Sequence, residues 1–520
     1  MTQRITRRRL GHLGLGAGAA WALAGTGAAD AETGGSILVF AAEAQPPTLD
    51  MHFSTAVATR NIALHMFEQL VTRDESNRPI PELAQSWETS PDGLVYRFAL
   101  RRGIQFHNGK ELTSADVLAS FRRFQRIGLA RSLLNPVAAM EAPDPDSFVL
   151  TLKQPVPVLI EQLSQFGVPL VIYPAAEAEK DGGRAQLIGT GPYRFREWIP
   201  DSHVRLERFQ DYRPDQRYPG PTGFGGRKRA LIEVVEFRFA TQPGARVAGL
   251  ETGQFQATED VPPKNAERLK QNPAITLYPL RRYGQQVAWV NHARPPTDTL
   301  AIRRAIQIGL DMEEIMEIAN DGAYDLGPGF QYPGNPYYVE DGQEFYNANR
   351  PDAARRLMAE AGYKGEEVVL LTNSTFTPHY NAALVMAEQL KRLGFKTRLD
   401  VFDWPTATAK QRNQADWNFW FTVQGTGPSV GPFSAYQNLI SPQNQAFVPD
   451  PVLDRCYEEM ITGATLEERK RAFGRFQARV YEAVHLIKFG DQTKIQATRS
   501  TVKGFRPFRI PRLWDVSIEG

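Results

Sequence analysis

Residues 83–123, "LAQSWETSPDGLVYRFALRRGIQFHNGKELTSADVLASFRR", contain two strand-like runs, a turn and the start of a helix. Ala84–Thr89 and Leu94–Leu100 flank Ser90-Pro91-Asp92-Gly93, a sequence that favours a tight turn between two strands. The run Thr113-Ser114-Ala115-Asp116 offers hydroxyl side chains that cap a helix N-terminus. The stretch therefore predicts a mixed α+β unit.

This unit ends at a second distinctive stretch, "QLIGTGPYRF", residues 186–195. Its Gly189-Thr190-Gly191 is similar to a phosphate-binding loop, but such a loop must open a helix. Residues 192–198 instead alternate aromatic and charged side chains, which is the period of a strand. We therefore predict a strand-to-strand turn whose glycines allow positive φ, and no phosphate site.

On the N-terminal side, Ser36–Ala42 predicts a buried strand and Ala63–Leu70 has a helical pattern. From about residue 280 longer helices follow, and "EVVLLTNS", "TPHYNAALVMAEQLKRLG" and "FKTRLDVFDW" predict strand, helix and strand. A strand-helix-strand unit implies a parallel pair, and ligands of such sheets lie beyond the carboxyl ends of the strands. Asn373–His379 and Asp403–Trp404 are therefore expected near a site.

The first 31 residues have the pattern of an export signal. Arginines at 7–9 precede an apolar, glycine-rich stretch and the small-x-small run Ala29-Asp30-Ala31, and Thr6-Arg7-Arg8-Arg9-Leu10 resembles a twin-arginine signal. These residues hold four of the 60 basic and one of the 58 acidic side chains, so the remainder has 56 and 57, a net charge of −1. No basic face remains to bind nucleic acid. With Cys456 as its only cysteine, the chain is expected to be a free, soluble periplasmic protein without a disulfide or lipid anchor.

In this order, the pieces resemble the bacterial extracellular solute-binding proteins of the peptide/nickel family, the periplasmic receptors of ABC importers. The similarity runs from about 36 to 516; residues 83–123 and "IGTGPYRF" match the family's most specific runs, and "AIRRAIQIGLDMEEI", "AEQLKRLGF" and "VKGFRP" match its later segments. The resemblance implies an α/β, type II-like, two-lobed periplasmic binding protein with an extra α+β subdomain in lobe I. Hinge strands are expected near 281–289 and 487–493. The expected organisation is a signal at 1–31, lobe I at 32–52, 189–282 and 490–520, the extra subdomain at 53–188 and lobe II at 283–489.

The resemblance also bears on the ligand. Peptide-binding relatives hold the ligand's α-ammonium with an aspartate, and dipeptide binders add an arginine, but here Thr426 or Ser429 falls at the first position and Thr377 near the second. A hydroxyl cannot replace a buried charge partner, which disfavours a short unmodified peptide. An aromatic and hydroxyl-rich lining suits a neutral or weakly polar solute held by stacking, such as an oligosaccharide or a modified peptide. The expected ligand is therefore a peptide-like or other small polar solute. The expected ligand-binding residues are Glu43, Phe376, His379, Tyr380, Trp404, Trp420, Thr426 and Ser429.

Further expectations concern partners and other classes of protein. A receptor of this type is expected to act as a monomer, to deliver its ligand to ABC permease subunits in the inner membrane and to need no cofactor. The seven histidines outside the signal are not spaced as metal ligands, which argues against bare nickel and leaves a metal chelate open. One alternative is an exported serine hydrolase, because Gly427-Pro428-Ser429-Val430-Gly431 fits a nucleophile elbow with Asp454 and His485 as partners. Another is a chaperone-like binder of extended chains.

Overall fold

The computed structural model describes residues 36–54, 56–180, 183–425, 432–440 and 448–519, and strands and helices alternate along them. The strands are β1 (Ile37–Ala42), β2 (Val71–Arg73), β3 (Pro79–Pro81), β4 (Ala84–Thr89), β5 (Val95–Leu100), β6 (Val137–Asp144), β7 (Ser147–Leu152), β8 (Tyr193–Ile199), β9 (His203–Arg208), β10 (Pro221–Thr222), β11 (Gly225–Gly226), β12 (Val234–Phe239), β13 (Ala257–Thr258), β14 (Ile275–Val290), β15 (Tyr324–Asp325), β16 (Glu367–Asn373), β17 (Lys396–Phe402), β18 (Phe419–Gln424), β19 (Leu486–Arg499), β20 (Val502–Lys503) and β21 (Ser517–Ile518).

The helices fall mostly in the second part of the chain. They are α1 (Val57–Ala63), α2 (Ser114–Ile127), α3 (Leu159–Leu163), α4 (Ala175–Ala178), α5 (Pro243–Thr252), α6 (Pro263–Leu269), α7 (Leu300–Gly309), α8 (Met312–Asn320), α9 (Pro351–Glu360), α10 (Thr377–Leu393), α11 (Trp404–Lys410), α12 (Pro432–Ile440), α13 (Pro451–Thr462) and α14 (Leu466–Ala483). None of the helices in the described ranges is long and apolar enough to cross a membrane.

Eleven strands form one large sheet, in the order β17-β16-β18-β14-β19-β13-β1-β12-β9-β8 with β15 paired to β19. The long strands β14 and β19 lie at its middle and join two groups of strands. We call β13, β1, β12, β9 and β8 the first half of the sheet, and β18, β16 and β17 the second half. β1 runs parallel to β12 and β13, and β16 runs parallel to β17 and β18, so each half contains the parallel pairing typical of α/β proteins.

The pairing of β14 with β19 is interrupted between the two halves. Ile275–Leu280 pair with Lys494–Arg499, and the ladder resumes only at Gly284. Between these segments Arg282 adopts a φ of 55°, a left-handed conformation that non-glycine residues rarely take. The predicted hinge segments 281–289 and 487–493 fall within these two strands, and their role as hinges stays a prediction.

The core contains two large clusters. In the second half, Leu370 and Phe419 on the sheet pack with Met386 of α10 and Ile315 of α8 in one buried cluster. The larger cluster contains residues of the first half, the four-stranded sheet and the C-terminal segment, and it extends to Leu371 and Trp420 on the other face of the second half. The predicted boundaries of lobes and subdomain stay predictions.

The stretch 83–123 folds as its local sequence predicts. β4 spans Ala84–Thr89, β5 begins at Val95, and Gly93 in the intervening turn has a φ of 71°. Thr113 and Asp116 form a reciprocal capping box at the start of α2. β4 and β5 belong to a four-stranded antiparallel sheet, order β4-β5-β7-β6, so the predicted α+β unit is present.

The glycine turn corrects two expectations. β8 follows the turn as predicted, but residues 183–190 form no strand, and neither Gly189 nor Gly191 has a positive φ. The glycines are needed because the chain passes directly against the backbone of residues 65 and 66. A Cβ on Gly191 would lie 2.6 Å from the carbonyl oxygen of His65, and one on Gly189 would overlap that of Met66.

His107, from the stretch 83–123, holds this turn in place. Its Nδ1 accepts a hydrogen bond from the Gly189 N–H at 3.2 Å, and its Nε2 donates to the Gly191 carbonyl at 3.1 Å. Burial lowers the pKa of His107 to about 4, so the ring is neutral at pH 7 and keeps one donor and one acceptor. Two sequence motifs that are far apart in the chain therefore form one structural unit.

Gly189→Ala is expected to lower the free energy of unfolding by about 2 kcal/mol, because the added methyl group would force the backbone at Met66 to move. Urea denaturation measures the change. Gly244→Ala in the first turn of α5 is the matched control, since nothing lies within 4 Å of its Cβ position, and its stability should be unchanged or higher. Equal stability of the two variants would contradict the packing argument.

The helix predicted over Ala63–Leu70 is wrong. α1 covers Val57–Ala63 and ends where the predicted helix would begin. The carbonyls of His65 and Met66 accept hydrogen bonds from Tyr193 and Gly191, and that of Glu68 accepts one from Ile172. These long-range bonds replace the local bonds of a helix, so tertiary contacts outweigh the helical pattern.

Candidate functional site

The carboxyl ends of β16 and β17 lie side by side, as the strand-helix-strand pattern predicts. Asn373, the last residue of β16, pairs in parallel register with Phe402, the last residue of β17. α10 begins at Thr377 and α11 at Trp404, where the side chain of Asp403 accepts a hydrogen bond from the Thr406 N–H at 3.0 Å. The two helix starts bring the predicted site residues of both segments together.

Four of those residues form a contiguous ring cluster. The Trp404 ring lies 5.3 Å from Phe376, 5.9 Å from His379 and 5.5 Å from Trp420, measured between centroids, and the two indoles are stacked with an interplanar angle of 27°. Trp420 and His379 are buried, whereas Phe376 and Trp404 remain half-buried. The cluster therefore presents an aromatic surface at this edge of the sheet.

The hydrogen bonds of His379 fix its tautomer. Asn373 Oδ1 accepts the Phe376 N–H at 2.9 Å, so Asn373 Nδ2 donates to His379 Nδ1 at 3.0 Å. Burial lowers the pKa of His379 to about 4, which leaves a neutral ring with its proton on Nε2. Within the described ranges, this Nε2–H has no hydrogen-bond partner. It is a donor available to a ligand.

Glu43 belongs to a charged network at the end of β1. Its carboxylate contacts the ammonium of Lys494 closely and lies 3.4 Å from Arg246, while the Glu43 N–H donates to Glu259 at 3.1 Å. Burial alone would raise the pKa of Glu43, but Lys494 and Arg246 outweigh it and lower that pKa. In neighbouring Asp260, burial, followed by the Glu43 charge, raises the pKa to about 7. Glu43 is therefore an ionised side chain of the first half.

The two groups of residues face each other. After burial, which lowers the pKa of His379, the Glu43 carboxylate raises that pKa and the Lys494 ammonium lowers it, so charges that follow β1 and lie on β19 act on this ring of the second half. Lys494 also lies 4.9 Å above the ring of Tyr283, which is in the interrupted part of β14. The candidate site thus lies where the two halves meet, with charges on one side and aromatic rings on the other.

The remaining predicted residues have different positions. Tyr380 is half-buried on α10, and Trp417, which sequence reasoning also considered, is fully buried in the core and donates its indole N–H to Gln411. Thr426 and Ser429 lie outside the described residues. The ligand role of all eight predicted residues stays a prediction.

Sequence reasoning did not identify Lys494, Arg246 or Tyr283. No local signal set Lys494 apart, because β19 also contains Lys488, Asp491 and several other polar residues. Arg246 is one of only two charged residues of the short helix α5, and nothing in that helix indicates its acidic partner Glu43.

The geometry around the proposed hydrolase residues differs from the prediction. His485 Nε2 lies 2.9 Å from Asp450 rather than bonding to Asp454, and its ring stacks on His292 at 4.8 Å. His485 is buried, and the predicted elbow at 427–431 lies outside the described residues. Among the described residues there is no group of three histidine, cysteine or acidic side chains that could hold a metal ion.

Comparisons with known proteins agree with the two-part fold. The family model for bacterial extracellular solute-binding proteins, family 5 Middle, matches residues 78–447. The chain is 26% identical to a probable peptide ABC transporter periplasmic-binding protein, y4tO, of Sinorhizobium fredii, over 98% of this chain and 99% of that protein. It is 24% identical to the glutathione-binding protein GsiB of Salmonella choleraesuis, over 97% of each.

A solved structure supports the same relationship. The periplasmic binding protein AgaA in complex with agropinic acid, from A. tumefaciens R10, superposes with a TM-score of 0.80 at 26% identity, covering 93% of this chain and 99% of AgaA. The hydrolase alternative finds no support among these relatives. The two-lobed fold, with strands β14 and β19 shared between its parts, is that of a binding protein. The chain therefore belongs to family 5 of the bacterial extracellular solute-binding proteins, and it is the substrate-binding component of an ABC importer rather than an enzyme.

Proposed function

We propose that this receptor captures a small peptide-like or amino-acid-derived solute between its two lobes. The observation that supports the proposal is that Glu43, which follows β1 of the first half, and Lys494, on the central strand β19, lie close enough to His379 for their charges to act on its pKa, while His379 and its ring cluster belong to the second half. A ligand that contacts both sides favours the closed arrangement of the lobes over the open one. Ligand capture is thereby coupled to the shape that the permease recognises.

Each side of the site offers a distinct kind of contact. Phe376 and Trp404 offer half-buried rings for an apolar or planar group, and His379 offers one N–H donor. Glu43 is ionised and can accept hydrogen bonds from an amino group, although it shares its charge with Lys494 and Arg246. This combination suits a solute that has both an apolar part and polar ends.

The relatives support a solute of this size and polarity. One is described as a peptide-binding protein, one as glutathione-binding, and AgaA is in complex with agropinic acid. We propose that the ligand of this chain belongs to the same broad group of amino-acid derivatives. The sequence expectation that short unmodified peptides are disfavoured is part of this proposal.

The proposed location of the receptor rests on its family and on its N-terminal sequence. Family members act in the periplasm or outside the cell, and we propose the periplasm, reached by a twin-arginine signal at residues 1–31. There a monomer would pass its ligand to the inner-membrane permease subunits.

Native mass spectrometry of the chain purified from its own periplasm, without refolding, tests this function. We expect a discrete additional mass that is lost on mild denaturation and that corresponds to an amino-acid derivative or modified peptide. If the chain carries no ligand, a thermal-shift screen of dipeptides, glutathione and amino-acid conjugates follows. A chain that is stabilised by none of these compounds would contradict the proposed ligand group.

A further inference from the structure

We propose that Arg509 forms an anion-binding subsite where the two halves of the sheet meet, and that the ligand carries a carboxylate which this arginine binds. The inference rests on the proposed function, since it names a chemical group of that ligand. It assigns a role to the C-terminal segment, which none of the sequence predictions included in the site.

The environment of Arg509 is that of a cation without an acidic partner. Its guanidinium lies 5.0 Å from the centroid of the Tyr283 ring, on which Lys494 also lies at 4.9 Å. Its Nη1 is buried and makes no hydrogen bond to any described residue. Among the described residues, no carboxylate oxygen lies within 4 Å of the Arg509 nitrogens. By contrast, Lys494 forms an ion pair with Glu43, and Lys488 lies 3.0 Å from Asp491.

Two other cations lie near this arginine, Arg60 and Lys494, the second on the same tyrosine ring. Burial, and then the positive charge of Arg509, lowers the pKa of Arg60 to about 10. The two guanidinium groups therefore lie close enough to repel each other. Burial also lowers the pKa of Arg509. Bringing several cations together in a partly buried place is unfavourable, and an anion placed among them would offset that cost. The charge distribution therefore favours a negatively charged group at this point.

The position of Arg509 links the two halves. Its neighbour Phe508 is hydrogen-bonded to Gln496, in the part of β19 that lies next to the first half. The Gln496 side chain donates to the Phe508 carbonyl at 2.8 Å and accepts the Phe508 N–H at 3.3 Å. The guanidinium nevertheless occupies the space that a Cβ on Gly425 would need, at the end of β18 in the second half. An anion bound to Arg509 would thus lie between the lobes.

The chemistry favours a carboxylate. A guanidinium is planar and donates two parallel hydrogen bonds, from two of its nitrogens, to the two oxygens of a carboxylate, and Nη1 of Arg509 donates to no described residue. An amide offers one oxygen and no charge. Replacing the carboxylate of a ligand by an amide should therefore weaken binding even though the two groups have similar shapes.

The test uses the mature chain and two probe mixtures. One is an equimolar mixture of N-acetylated Gly-Xaa dipeptides, which lack the α-ammonium and have free C-terminal carboxylates, and the other is the same mixture as C-terminal amides. We expect the carboxylate mixture to raise the melting temperature of the wild type more than the amide mixture. We expect Arg509→Gln to weaken binding of the carboxylates by about 10-fold or more in calorimetric titration, and Arg509→Lys to retain part of the affinity.

Arg506→Gln is the matched control. Arg506 lies in the same segment, donates to the Pro221 carbonyl at 3.0 Å and, unlike Arg509, has the charges of Glu75 and Asp515 acting on it. Its variant should bind the carboxylates as the wild type does. If Arg509→Gln does not fold, the comparison of acid with amide on the wild type and the Arg509→Lys variant decides the question.

Two results would overturn the subsite: equal stabilisation of the wild type by acids and amides, or unchanged carboxylate binding by Arg509→Gln. If neither mixture stabilises the wild type, the peptide-like form of the proposed function fails instead. Glutarate and glutaramide then test the subsite alone. Stabilisation by glutarate that Arg509→Gln removes would support the anion subsite, and its absence would overturn it.

Discussion

Lys228→Met is expected to lower the free energy of unfolding by about 3–5 kcal/mol at pH 8. The Lys228 ammonium lies 2.7 Å from Glu68 and 2.8 Å from Glu82, and all three side chains are at most 6% exposed. Without the ammonium, two carboxylates would remain buried beside each other with no cation. Removing one partner of a buried ion pair lowers the free energy of unfolding far more than removing an exposed ion pair does.

The loss of stability should depend on pH. In the wild type, burial, and then the neighbouring Glu68, raises the pKa of Glu82 from 4.5 to about 7 despite Lys228. A raised carboxyl pKa favours the folded state below pH 4.5, and this contribution is lost as the pH rises through 7. In the variant, protonation of Glu82 at low pH removes the repulsion between the two buried side chains. Urea denaturation should therefore show a smaller deficit at pH 5 than at pH 8.

Two further variants test the cause. Arg229→Gln changes the next residue, whose ion pair with Asp515 is half-exposed, and should cost less than about 1 kcal/mol. Adding Glu82→Gln to Lys228→Met removes one of the two buried charges and should restore part of the lost stability. A Lys228→Met protein as stable as the wild type at pH 8 would show that the ammonium does not hold this junction together.

The position of this ion cluster explains why its loss should matter for the whole lobe. Glu68 also accepts hydrogen bonds from Thr190 in the glycine turn and from Tyr212, each at 3.0 Å. Glu82 accepts the Gln69 N–H at 2.8 Å, just before the stretch 83–123. The cluster therefore fastens the extra four-stranded unit to the glycine turn and to the segment that precedes β12.

The sequence predicts the parts of the fold that local chemistry determines. The hairpin around Asp92 and Gly93, the cap at Thr113 and the end of α10 at Gly394 each depend on residues within a few positions of one another. The parallel pair β16 and β17 is predicted for a similar reason, since a helix of suitable length separates two apolar runs. Phe376, His379 and Trp404 could be placed together because parallel strands end at the same edge.

Contacts between distant segments could not be predicted in this way. No local pattern reveals that Gly189 must be small because Met66 lies against it, or that residues 65–68 form long-range bonds instead of a helix. The pairing of Arg509 with Tyr283 joins the C-terminal segment to the interrupted part of β14. Such contacts depend on the tertiary fold, and the family resemblance supplied that fold without supplying these side chains.

Trp404→Ala is expected to weaken ligand binding by about 100-fold, because the indole lies at the centre of the ring cluster and is half-buried. Its ring contacts Phe376, His379 and Trp420, so its removal would also take away one of the two rings that lie beside His379. Trp404→Phe keeps an aromatic face and should retain affinity to within about 10-fold. Calorimetric titration with the ligand recovered by native mass spectrometry measures both changes.

Trp87→Ala is the control that separates binding from packing. Trp87 is also half-buried, but it lies on β4 in the four-stranded sheet, and its loss should leave ligand affinity unchanged. The two alanine variants should lose stability by similar amounts, since each removes a partly buried indole from a folded surface. If Trp404→Ala binds the ligand as tightly as the wild type, the ring cluster is part of the core of the second half rather than a wall of the site. Recognition would then rest on the charged groups around Glu43 and Arg509, and the solute would need little apolar surface.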